Sequence, residues 1–200
     1  MPSSRLLYLL MAGLSLAVAL VSYRFLVLGM DAAFRVLQVN VNADRMVFAT
    51  HVIASPVALT AGLMQFLPRL RARRPGLHRL TGRVYAIAVL FGGVSGLLLA
   101  ASALDRPVAA AGFSVLAVIW LVITARGVLL ARAGRLVLHR KWMIRSFALS
   151  FAAVTLRLQL PLLFSLGMQY PEASSIVAWT CWVPNLLVAQ WLLGRLPRVA

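Results

Sequence analysis

Apolar residues gather in six long runs, Leu6 to Leu28, Met46 to Leu67, Gly82 to Leu104, Val108 to Leu130, Met143 to Leu166 and Ser175 to Leu193. A helix crosses a hydrocarbon core in about 20 residues, so the pattern predicts an all-α integral membrane protein, a six-transmembrane-helix bundle. The hinges between runs are short: Pro75-Gly76, Asp105-Arg106-Pro107 and Ala133-Gly134. None leaves room for a separate soluble domain, so residues 1–200 are expected to form one bundle. The first run follows a single Arg5, and no small-residue cleavage pattern precedes Tyr23 and Arg24, so it is expected to be a retained anchor. Only the connection from Asp31 to Asp44 is long. It places Phe34, Leu37 and Val41 at helical spacing, which fits an amphipathic lid in the interface or an irregular loop.

Within the runs, polar and small residues recur on single faces. His51, Ser55, Ala58, Gly62 and Gln65 form one stripe on the second run, at spacings of three and four. Ser146, Ser150, Ala153 and Arg157 continue a stripe from His139 and Met143 on the fifth, and Cys181, Asn185 and Ala189 form one on the sixth. Such faces are expected to point into the bundle. Gly92 and Gly96 form a small-xxx-small pair that lets another helix approach closely.

Charge adds a topology. The four acidic residues, Asp31, Asp44, Asp105 and Glu172, occupy alternate connections, while the others carry Arg clusters such as Arg69, Arg71, Arg73 and Arg74. Short basic loops are retained in the cytoplasm, which predicts that both termini are cytoplasmic. The net charge of +16 is then a matter of topology, with anionic lipids of the cytoplasmic leaflet as the expected partners. Nucleic-acid binding would need a basic face on a soluble fold. A composition that is 62% apolar and 12% charged, with a mean hydropathy of +0.91, is outside the soluble range. Nineteen Arg against one Lys, amid many Ala, Leu, Val and Gly, looks like a GC-rich bacterial genome and points to the bacterial inner membrane.

Depth brings some of these residues together. His51 is expected about 8 Å below the outer boundary and Arg157 about 10 Å below it. An Arg inside a span costs about 3 kcal/mol on insertion scales and is expected to face a cavity or a partner. No run contains Asp or Glu. The Arg157 charge would therefore be offset by carbonyls such as those of Asn185 and Gln159, by water, by snorkelling to outer headgroups, or by an anionic ligand. A second cluster, His78, Arg79, Arg83, His139, Arg140, Lys141 and Arg145, lies at the cytoplasmic ends of the third and fifth runs. Topology accounts for its Arg residues. Its two His suit metal binding or proton movement, and a pair at facing helix ends could hold a haem iron. The repeat of Leu77-His78-Arg79 as Leu138-His139-Arg140 is short enough to arise by chance.

Other chemistries lack their residues. There is no Gly-rich phosphate loop, no His-Glu-x-x-His helix, no carboxylate in the membrane and no second cysteine to pair with Cys181. With only His51, His78 and His139 as imidazole ligands, two bis-His haems are excluded.

Several strings carry a resemblance: His51 with Gln65-Phe66, Pro75-Gly76-Leu77-His78-Arg79, Gly82-Arg83-Val84-Tyr85, His139-Arg140-Lys141-Trp142-Met143-Ile144-Arg145-Ser146, Arg157, and Trp179-Thr180-Cys181-Trp182-Val183-Pro184-Asn185. Together they resemble the bacterial predicted-membrane-protein family catalogued as domain of unknown function 2306. The resemblance covers the chain from about His51 onward and implies a membrane protein, with no activity attached. Gln190 stands where that pattern suggests an acidic residue, which argues against a proton relay there.

Two functions follow as expectations. One is a small redox protein holding one haem b or a quinone, with His51, His78 or His139 as ligands. The placement of the scarce His at span ends or inside a span, rather than in loops, favours it. The other is a transporter, sensor or lipid-binding protein with an outer cavity lined by His51, Arg157, Asn185 and Gln159. A structural subunit is a third.

Overall fold

The computed structural model describes residues 2–103 and 105–195. The described chain is helical and has no strands: α1 (Pro2–Ser22), α2 (Phe25–Leu28), α3 (Met30–Ala33), a 3-10 turn (Arg35–Leu37), α4 (Gln38–Ala43), α5 (Arg45–Gln65), α6 (Pro68–Arg73), α7 (Pro75–Ala101), α8 (Pro107–Arg132), α9 (Leu136–Ser150), α10 (Ala152–Ser165), α11 (Tyr170–Thr180) and α12 (Val183–Gly194). Six segments are long and apolar enough to cross a membrane: Leu6–Leu28, Arg45–Gln65, Pro75–Ala101, Pro107–Arg132, Leu136–Ser165 and Tyr170–Gly194.

These spans start earlier than hydropathy alone places them. The third begins at Pro75 rather than Gly82, the fifth at Leu136 rather than Met143, and the sixth at Tyr170 rather than Ser175. The reason is that helix formation does not stop where polarity begins. Pro75, Pro107 and Pro171 stand in the first turn of their helices, where a missing N–H costs nothing. Arg79, Arg83 and Arg140 then extend the helices through the basic margin as good helix formers. The predicted end of the third span, Leu104, lies outside the described residues.

The acidic residues prove to have local work at one end of the bundle. Asp44 caps α5 by accepting from the Val47 N–H at 2.9 Å. Glu172 and Gln169 form a capping box on α11. Asp31 pairs with Arg45 at 3.1 Å and Asp105 with Arg106 at 3.2 Å. At helix C-termini, Gly134 (φ 73°) and Gly167 (φ 84°) adopt the left-handed conformation that ends α8 and α10.

Within the bundle α5 packs on α7, α7 on α8, and α8 on both α9 and α11, with α1 against α5 and α10. The α5 stripe does face inward. A Cβ on Gly62 would sit 2.5 Å from Phe147 and 2.9 Å from Tyr85, and Gln65 donates to Thr81 of α7 at 2.7 Å. The helix that the small pair of α7 admits is α5. A Cβ on Gly92 would lie 3.0 Å from Ser55 Oγ, and one on Gly96 3.0 Å from the His51 ring.

At the centre, a hydroxyl cluster ties three helices. Tyr85, fully buried on α7, shares hydrogen bonds with Ser146 at 2.6 Å and Ser150 at 2.9 Å on α9. Thr124 of α8 reaches Ser146 at 2.6 Å, and the Trp120 indole donates to Ser150 at 3.1 Å. Deleting one hydroxyl leaves two buried partners short of a bond, and interhelical bonds in membranes are worth about 1–2 kcal/mol. Tyr85→Phe is expected to lower stability by about that amount, read as the midpoint of denaturant-induced unfolding in mixed micelles.

Candidate functional site

A cavity of about 820 Å³ opens between α1, α5, α7, α8, the end of α9, α10 and α11, at the end of the bundle that carries the acidic residues. Most of its wall is apolar, from Val52 and Phe113 to Trp120 and Leu156. Its polar groups are few and largely basic. His51 projects from α5 with Nδ1 hydrogen-bonded to the Gly92 carbonyl at 2.9 Å and Nε2 3.4 Å from Ser55 Oγ. Arg157, on α10, donates from one terminal nitrogen to the Ala153 carbonyl of its own helix at 3.0 Å. Arg24 sits in the kink between α1 and α2, donates to the Ala33 and Val21 carbonyls, and lies 4.8 Å above the Phe34 ring. Arg106 is 8% exposed, bonded to Asp105 and stacked on Tyr170 at 5.2 Å.

Among the described residues, no Asp or Glu lines this cavity. The charge of Arg106 has a carboxylate partner in Asp105, whereas Arg157 and Arg24 bond only to neutral carbonyls. Carbonyls satisfy N–H groups without neutralising a cation, so the interior of the cavity keeps a positive potential. An anion entering it would meet the guanidinium groups of Arg157, Arg24 and the exposed Arg35, and the His51 imidazole.

The long connection closes the top. Ala32, Phe34, Leu37 and Asn40 line the cavity, and Phe34 and Val41 are buried against Phe48, Val52 and Leu99. Phe34 meets Phe48 edge-on with ring centres 5.0 Å apart. The segment is thus an ordered helical cap whose apolar face docks on the bundle itself. Asn40 contributes a buried side-chain oxygen with no hydrogen-bond partner, available to a ligand hydroxyl.

Of the four residues expected around the outer cavity, the structure brings His51 and Arg157 to its wall and places Asn185 and Gln159 elsewhere. α11 and α12 are interrupted at Cys181 and Trp182, and irregular backbone at membrane depth must be satisfied internally. Asn185 does this by donating to the Cys181 carbonyl at 2.9 Å and to Thr155 Oγ1 at 3.0 Å. The Trp182 indole donates to the Ala178 carbonyl at 2.8 Å. Gln159 accepts from Thr180 at 2.9 Å. These side chains stitch α10 to the interrupted helix. Arg24 and Arg106, which neither spacing nor depth assigns to this site, take their positions on the cavity wall.

At the opposite end the basic cluster sets His78 and His139 within electrostatic reach of each other, with most of its Arg residues exposed. Arg79, Arg83 and Arg140 are exposed. His139 is held by the Gly127 carbonyl at 2.8 Å, and His78 Nδ1 is buried with no partner. About 21 Å of helix rise along α7 separates His78 from Gly92, the residue that holds His51. Among the described residues no three His, Cys, Asp or Glu side chains gather as metal ligands, so the expectation of a metal or haem site at His51, His78 or His139 gains no support.

Residues 48–193 match the model of a family described as "Predicted membrane protein (DUF2306)". The chain belongs to that family. The matched DUF2306 region runs from Phe48 at the cap to Leu193 near the end of α12, and so takes in His51, Arg157 and most of the cavity wall. No curated protein and no solved structure matches the chain.

Proposed function

We propose that this multi-pass membrane protein binds an amphiphile with an anionic head in its capped cavity, in a transport or sensing role. The observation that carries the reading is Arg157, whose charge faces a mostly apolar cavity with no carboxylate among its described lining residues. A cation at membrane depth is expected to have a functional partner. The cavity volume of about 820 Å³ falls in the range of about 300–1,000 Å³ typical of small-molecule sites and supports a single-chain ligand. A neutral quinone would fill the apolar part and leave the guanidinium charges without a counter-ion. A bis-imidazole haem in this cavity would need a second His opposite His51, and neither His78 nor His139 is near it.

In the same reading the Arg-rich connections face the cytoplasm of a bacterial cell and both termini lie there. The cavity then opens toward the outer leaflet of the inner membrane, from which an amphiphile would enter head-first beneath the cap.

Displacement of a fluorescent long-chain fatty acid from the detergent-purified chain tests this. Alkyl carboxylate and alkyl phosphate are expected to compete at least about tenfold better than an alkyl trimethylammonium or an alcohol of equal chain length, the factor that about 1.4 kcal/mol of head-group recognition gives. Equal competition by the cationic and neutral compounds would remove the charge argument. A reduced-minus-oxidised absorption band with stoichiometric haem would replace the reading with the redox one.

A further inference from the structure

We infer that a groove on the outside of the bundle, between α8, α9 and α12, is a selective site for an anionic phospholipid of the leaflet on the Arg-rich side. The groove measures about 600 Å³ and shares no lining residue with the capped cavity. Its lining changes character along its length. Val118, Ile119 and Val122 of α8 and Leu186 of α12 make an apolar wall suited to an acyl chain, while Lys141, Trp142, Arg145 and Gln190 gather on the Arg-rich side of it. Lys141 precedes the apolar run that begins at Met143, and Arg145 lies in the first turn of that run. Cationic side chains thus stand where phosphates end and acyl chains begin, with the hydrocarbon wall leading deeper.

The state of Arg145 makes this more than a basic margin. Its Nε donates to the Gln190 side-chain oxygen at 2.9 Å, and its guanidinium lies 5.4 Å from the centre of the Trp142 ring. Both contacts orient the group. Neither neutralises it, because Gln190 is an amide, and among the described residues no Asp or Glu lines the groove. The bond to Gln190 uses Nε and leaves the two terminal nitrogens without a protein partner among the described residues. A half-buried guanidinium at the membrane boundary, fixed in place with its forked face free and an ammonium one turn away, is a receptor for a phosphate oxygen pair. The adjoining apolar wall selects a phosphate that carries an acyl chain. A zwitterionic phospholipid also has a phosphate, but its own cation competes for it, so net anionic headgroups are preferred.

The test is native mass spectrometry of the full chain in mixed micelles containing phosphatidylglycerol and phosphatidylcholine with identical acyl chains. Two basic side chains at the membrane surface are expected to favour retained phosphatidylglycerol by about tenfold or more. Gln190→Glu, which keeps the hydrogen-bond acceptor and adds the missing counter-charge, is expected to reduce that preference to near unity, and Lys141→Gln, which leaves Arg145 in place, to reduce it to about threefold. Because both substitutions sit at the lipid-facing margin, they keep the test usable if Arg145→Gln fails to fold. Inorganic phosphate at matched concentration is expected to leave the lipid bound. Equal retention of phosphatidylcholine, an undiminished preference in Gln190→Glu and Lys141→Gln, or displacement by inorganic phosphate would each overturn the inference. Fatty-acid binding in the capped cavity, expected to be unchanged in these variants, separates failure here from failure of the proposed function.

Discussion

Arg157→Leu is expected to make the ligand-free protein more stable and to remove most of its preference for anionic amphiphiles. The two effects have one cause. Arg157 bonds only to the Ala153 carbonyl of its own helix, so the unliganded protein bears the cost of a cation facing a mostly apolar cavity that holds other cations. Insertion scales put a central Arg at about 2.5–3.5 kcal/mol, and replacing buried charge by packed hydrocarbon is often stabilising by about 1–4 kcal/mol. When an anion is bound, the same guanidinium forms a charge-assisted pair, and truncating one partner of such a pair costs about 2–5 kcal/mol. Affinity for an alkyl phosphate should therefore fall by a factor of about 30 or more. Arg157→Lys should retain part of it, since a point charge replaces a two-pronged donor. Thermal unfolding of the detergent-solubilised chain, with and without alkyl phosphate, reads both effects at once. A residue that only snorkelled to headgroups would give a variant with unchanged ligand affinity, and a structural anchor would give a less stable protein. Either result would count against the cavity as the binding site.

The spans were legible because hydrocarbon leaves only one economical way to satisfy a backbone, and each apolar run announced its helix. The stripe on α5 was legible for a related reason: Ser55, Gly62 and Gln65 have no favourable contact with lipid tails, so their shared face had to meet α7 and α9. Depth counting also brought His51 and Arg157 to one cavity. It could not say which way each polar side chain points. Asn185 and Gln159 sit at a suitable depth, yet they turn toward the interruption between α11 and α12, where the Cys181 and Thr180 carbonyls accept from their amides. That interruption itself left little trace, because Pro184 is as compatible with a helix start as with a kink.

Arg24 and Arg106 were hidden by a different effect. Each lies at the edge of an apolar run and reads as a topological charge, and only the fold of the 30–44 cap and the packing of Tyr170 turn them over the cavity. The acidic residues show the converse. Their asymmetric distribution reads as topology, while the structure also gives each a local role, capping α5 and α11 or pairing with Arg45 and Arg106.

Gly62→Leu should have the largest effect on folding. An added Cβ alone would lie 2.5 Å from Phe147 and 2.9 Å from Tyr85, closer than carbon atoms approach without displacement. Phe147 has little freedom to yield, because it is buried between Phe66, at a ring distance of 4.9 Å, and Phe151, at 6.5 Å. Tyr85 is held by Ser146 and Ser150, so moving its ring breaks the hydroxyl cluster. Overpacking a tight interior costs about 1–3 kcal/mol for small insertions, and the higher helix propensity of Leu over Gly returns less than about 1 kcal/mol. A four-carbon side chain at this point adds the loss of two or more interhelical hydrogen bonds, each about 1–2 kcal/mol, and separates α5 from α7 and α9. The expected outcome is loss of the monodisperse peak in size-exclusion chromatography at temperatures where the parent chain survives. Gly13→Leu on α1, where nothing lies within 4 Å, is the matched control and should behave as the parent. Equal behaviour of the two variants would mean that α5 does not approach α9 as closely as Gly62 permits. The cavity wall that α5 holds in place through His51 and Ser55 would then need to be redrawn.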